Sequence, residues 1–118
     1  MRRKIAKPDG LEAISAYLSG SESEASIATA VRFLLEELGA IYPGNAVEVR
    51  IPPYGAVQCI EGPTHTRGTP ANVVEMDPGS WLELALGKSS FEDLAASGKL
   101  TASGSRSDLA GLFPIFKP

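Results

Sequence analysis

The chain has 118 residues, of which 43% are hydrophobic and 21% charged, with a formal net charge of −3. That length fits one domain spanning residues 1–118, and the apolar content excludes a disordered tail. The slightly acidic balance argues against a nucleic-acid partner, which calls for a basic face. No run reaches the roughly 20 apolar residues that a membrane-spanning helix needs.

The start, MRRKIAKPDG, is basic but has no apolar stretch behind it, so it reads as a solvated terminus rather than a secretory signal. Asp9 to Glu12 has the spacing of a capping box and predicts a helix with Leu11, Ile14 and Leu18 on one face, stopped at Gly20. Ser21 and Glu24 repeat the pattern. Ile27, Ala30, Val31, Leu34, Leu35 and Leu38 then recur at three- and four-residue steps, which predicts a longer helix ending at Gly39. Tyr42 to Asn45 is turn chemistry. From Ala46 to Ile51 valine and isoleucine alternate with charge, the period of a strand. Pro52 to Gly55 reverses the chain, and strands are expected at Ala56–Glu61 and Asn72–Met76. Asp77-Pro78 opens a helix that carries Trp81, Leu82, Leu84 and Leu86 and stops at Gly87. Ser89 and Glu92 start a short helix that Gly98 ends, Leu100–Ser103 is a strand, and Ser105 to Asp108 opens a last helix carrying Leu109, Leu112 and Phe113. Pro114 breaks it and leaves an apolar tail, Ile115-Phe116. Strands in a meander with helices segregated from them indicate an α+β fold, a mainly antiparallel sheet covered on one face by helices.

The chemistry-bearing residues are few. The stretch GPTHTRGTP (62–70) holds the only histidine, His65, with Arg67 beside it, and the only cysteine, Cys59, lies just upstream. A single cysteine forbids an internal disulfide and suits a reducing cytoplasm. Cys59 and His65 alone fall short of the three or four ligands that zinc takes, so no metal is expected. A Cys–His nucleophile pair needs an orienting third group that the surrounding residues do not announce. His65 and Arg67, with threonine hydroxyls and glycine amides, offer an anion or head-group site, and the same composition also serves a plain strand connection. Glu48, Glu61 and Glu75 fall on separate strands and read as solvated. No phosphate-binding glycine loop is present, and no cofactor is expected. The broad apolar face of the long helix and the tail Leu112-Phe113-Pro114-Ile115-Phe116 suit a pocket, since small-molecule sites are mostly apolar.

The stretch VVEMDPGSWLELALGKSSFEDLAASGKLTASGSRSDLAGLF (73–113) resembles the second half of the sterol carrier protein type two family. The order is strand (Val73 to Asp77), apolar helix ending in glycine (Trp81 to Gly87), short helix (Phe91 to Ala95), Gly98-Lys99-Leu100 strand, then Gly104 to Leu112. VEVRIPPYGAVQCIEGPTHTRGTPANVVE (47–75) is similar to an actinobacterial branch described only as sterol carrier family proteins. The resemblance implies a five-stranded sheet with helices over one face, an apolar tunnel between them, and non-enzymatic carriage of fatty acyl chains, acyl-CoA or sterols. One departure is the short last helix, cut by Pro114, where relatives use their terminal segment to help enclose ligand.

On this reading Val31, Leu34, Leu35, Leu38, Trp81, Phe91, Leu112, Phe113 and Phe116 are expected near the ligand, with His65 and Arg67 at its mouth. The expected partner is an apolar small molecule such as a fatty acyl chain. A rival reading is an interaction or accessory module that docks on a partner or on a second copy as a homodimer. A third is a small enzyme using the His65 loop.

Overall fold

The computed structural model describes residues 4–62 and 72–117. Helix α1 spans Lys7–Leu18 and α2 spans Glu24–Ile41. Strands β1 (Val47–Ile51), β2 (Gly55–Cys59) and β3 (Val73–Met76) follow, then α3 (Pro78–Ala85), α4 (Phe91–Ala96) and β4 (Leu100–Ser103). The fold class is α+β.

The helix ends show where local signals hold. At the N-termini of α3 and α4, Asp77 accepts from the Ser80 amide and Ser90 from the Asp93 amide, so each satisfies an orphan N–H. At the C-termini, Gly87 and Gly98 take positive φ, and the next residue donates back into the last turn: Lys88 to the Glu83 carbonyl (2.8 Å) and Lys99 to the Leu94 carbonyl (3.0 Å).

Several expectations need correction. The Asp9–Glu12 box does not start α1, which begins two residues earlier with Pro8 in its first turn. The cap of α2 is Ser23, which accepts from the Ser26 amide, not Ser21, and the cap of α4 is Ser90, not Ser89. Gly39 does not end α2. It lies buried inside the helix, which runs on through Ala40 and Ile41 until Pro43 forbids it. The expected last helix is a single 3₁₀ turn, Ala110–Leu112. There Asp108 Oδ1 accepts from the Ala110 amide (3.1 Å), an Asx turn that competes with a helix start, and Gly111 and Pro114 allow no further turns.

The sheet has the order β2-β1-β3-β4, four strands among the described residues where the resemblance implied five. It is not a meander. β1 pairs antiparallel with β2 but parallel with β3, which lies on its opposite side. β2 itself makes the return, so the end of β2 at Cys59 and the start of β3 at Val73 lie at the same end of the sheet, beside Val47 and Glu48. β3 pairs antiparallel with β4.

Side-chain alternation divides the sheet into two faces. Val47, Val49, Ile51, Val57, Cys59, Val74, Met76 and Leu100 are buried on one. On the other, Glu48 and Arg50 form an ion pair beside Gln58, Glu75 and Thr101. The helices cover the first face. α2 turns Val31, Leu34, Leu35 and Leu38 inward, and α3 brings Trp81, Leu82 and Leu84 against them. Trp81 Nε1 donates to the Val31 carbonyl (3.2 Å), so the indole is buried with its polar atom satisfied. α1 crosses α2 where Gly10 meets Phe33. A Cβ at Gly10 would stand 2.3 Å from the Phe33 ring, so the close approach depends on glycine.

Candidate functional site

The apolar residues expected near a ligand divide into an interior set and a surface set. Val31, Leu34, Leu38 and Trp81 are 0% exposed and belong to one continuous core with the sheet. Leu35 and Phe91 are also buried, while Leu112, Phe113 and Phe116 are half-buried and lie against the core from outside. The nine residues expected at a ligand thus occupy neighbouring layers: a filled interior and a partly exposed cover.

That cover is the segment after the 3₁₀ turn. The amides of Ile115 and Phe116 both donate to the Ala85 carbonyl, at 2.9 and 3.2 Å, one of the acceptors that the end of α3 leaves free. The Phe113 ring meets Trp81 edge-on at 5.8 Å and stacks at 6.5 Å on Phe91. Pro114 seats against Gly87, where a Cβ would come within 3.2 Å of it.

The two ends of this segment each line a groove. Phe113 and Pro114 border one of about 320 Å³ with Leu84, Gly87, Lys88 and Phe91. Phe116 borders another of about 310 Å³ with Leu11, Ile14, Ser15 and Leu18 of α1. Each is at the low end of the range for small-molecule sites, roughly 300–1,000 Å³. The α1 residues were not singled out as binding residues from sequence. The signal was present in the spacing of Leu11, Ile14 and Leu18, but that spacing by itself specifies a buried stripe and not what covers it.

The rim is polar. Lys88 Nζ lies 5.5 Å from the centre of the Tyr17 ring, and Glu83 accepts from the Ser89 hydroxyl (2.6 Å). Burial, then the negative charge of Glu83, raise the Tyr17 pKa above its ordinary value, so this phenol stays neutral and donor-capable at neutral pH.

The polar candidates fall elsewhere. Cys59 is on β2, 0% exposed among core side chains, and burial pushes its thiol up to about 11. A thiol so placed is protonated at neutral pH and a poor nucleophile. His65 and Arg67 lie outside the described residues. Among the described residues no three His, Cys, Asp or Glu side chains come together to hold a metal ion. Nor is any helix among them long and apolar enough to cross a membrane.

A search of curated proteins returns no match. A family model described as "Bacterial SCP ortholog" matches residues 23–115, from the cap of α2 through the four strands to the tail that covers Trp81. With that span covering most of the chain, the protein belongs to the bacterial sterol-carrier-like (SCP ortholog) family.

Proposed function

We propose that this protein is a non-enzymatic carrier that holds an apolar, chain-like molecule such as a fatty acyl chain against Trp81 and Phe91, in space that residues 113–116 cover when no ligand is bound. The observation that carries the reading is the manner of that cover. Phe113 lies on the buried Trp81 and Phe91 rings, Ile115 and Phe116 pack half-buried on the core beside it, and two amides sharing the Ala85 carbonyl are the main-chain bonds that tie residues 113–116 to α3. A net protein hydrogen bond contributes only about 1 kcal/mol. An apolar ligand that replaces the side-chain contacts therefore displaces the segment at modest cost. Membership of a sterol-carrier-like family supports the same reading.

The docking alternative calls for a contiguous exposed apolar patch of a few hundred Å². Among the described residues the large apolar side chain that stands exposed is Ile41, at 47%. A lone side chain of that kind favours a ligand carrier over a docking face.

The test is native mass spectrometry of freshly purified protein, followed by lipid extraction and titration with fatty acids from octanoate to palmitate. The carrier reading expects a stoichiometric acyl adduct, or one that forms on titration and tightens with chain length. A bare mass that takes up none of the series would refute it.

A further inference from the structure

We infer that the outer edge of β2, at its Tyr54–Gly55 end, binds the carboxyl terminus of an extended peptide by adding it as an antiparallel strand. This site shares no lining residue with the grooves at the tail.

Among the described residues β2 is an edge strand, and Gly55, Ala56 and Gln58 are exposed. The direction of its main-chain groups follows from β1. The Glu48 amide donates to the Asn72 carbonyl on the β3 side, so Glu48 turns its polar backbone away from β2. Its partner Gln58, and Ala56 two residues before, therefore carry N–H and C=O groups that point outward, while Val57 and Cys59 bond inward to β1. An edge of this kind is a template for another strand.

A pocket of about 340 Å³ opens where this edge meets α2, lined by Ile5, Leu35, Tyr54, Gly55 and Ala56, with Lys4, Arg32 and Glu36 as its charged groups. Arg32 is held in place twice: its Nε donates to the Tyr54 carbonyl (2.8 Å), and its guanidinium lies 5.7 Å from the centre of the Tyr54 ring. The two Nη groups meet no acceptor among the described residues. Glu36, one turn on, spends Oε1 on the Lys4 and Ile5 amides (3.1 Å each), which turns its charge toward the amino-terminal backbone.

Charge selects the direction of the added strand. Arg32 lies at the beginning of β2. A strand antiparallel to β2 ends there and brings a carboxylate to a guanidinium fork whose geometry suits it. A parallel strand would bring its ammonium terminus against Arg32 and Lys4. Leu35 and Ile5 leave an apolar wall for the last side chain.

The experiment titrates 15N-labelled full-length protein with a pool of random hexapeptides bearing a free carboxyl terminus, and with the same pool amidated. Shifts are expected at the amides of Ala56 and Gln58 and at Arg32 Nε, with the acid pool binding about tenfold tighter than the amide pool. Arg32→Gln is expected to erase that preference. Gln58→Pro, which an edge strand tolerates where the N–H faces outward, is expected to weaken both pools. Melting curves confirm that each variant is folded. No binding by the acid pool, equal affinity for the two pools, or full binding by folded Gln58→Pro overturns the inference. Octanoate binding at Arg32 that Gln58→Pro leaves intact also overturns it, in favour of a small-carboxylate site.

Discussion

If the tail is a displaceable cover, Phe113→Ala lowers stability and raises ligand affinity together. The ring makes two aromatic contacts, with Trp81 at 5.8 Å and Phe91 at 6.5 Å. Such pairs contribute about 0.5–1.5 kcal/mol each beyond area burial, and a fully buried Phe→Ala costs about 3–5 kcal/mol. Phe113 is only half-buried and borders an open groove, which places the loss near 2 kcal/mol. For a domain of this size that lowers Tm by about 8 °C. A ligand that must lift the wild-type ring from the same surface gains back what the ring no longer opposes, roughly 30-fold in affinity for 2 kcal/mol. Trp81 is the only tryptophan, so quenching of its fluorescence by a brominated fatty acid reports on this surface. Melting and titration of the same two proteins give the two signs. Affinity that falls along with Tm would refute the reasoning and make Phe113 part of the ligand's wall.

Two further outcomes test the packing beneath the site. Gly10→Ala gains about 1 kcal/mol of helix propensity but drives a Cβ to 2.3 Å from the buried Phe33 ring; overpacking costs about 1–3 kcal/mol, so a net loss near 1 kcal/mol is expected in chemical denaturation, and a gain would show that α1 can slide. Asp77→Asn keeps a capping side chain but removes a titrating one. Partial burial raises the Asp77 pKa, but hydrogen bonds from the Ser80 hydroxyl and amide and from nearby backbone lower it more, and the net shift is downward. A depressed carboxyl stabilises the fold above its unfolded pKa of about 3.9, and that contribution is lost as pH falls through the lower folded value. The variant is expected to lose this dependence, seen as a shallower fall of Tm with pH below about 4, and an unchanged acid limb would assign it to other groups.

Much of the fold was legible because it rests on local chemistry. The Asp77 and Gly87 boundaries of α3, the alternation in β1 and the inward face of α2 each depend on residues within a few positions of one another, whereas α1 buries Gly10, Ala13 and Ile14 and leaves the expected Leu11 and Leu18 only partly covered. The resemblance added the family, which the family match bears out, and a sheet covered by helices, which the structure shows with four strands among the described residues rather than five. The misread ends were those where two local signals compete. Gly39 offered a stop, but Ala40 and Ile41 continue the helix and Pro43 outranks the glycine. Asp108 offered a cap but makes a turn.

What the sequence determined by itself was which residues must leave water and with what period, since burial and backbone preference are read over a few neighbours. Tertiary structure decided who meets whom. Nothing local says that β3 runs parallel to β1, that Gly10 makes room for Phe33, or that the Ala85 carbonyl holds a tail 30 residues later in the chain. Those pairings join distant segments, and their free energy exists only once the chain has closed the loops between them.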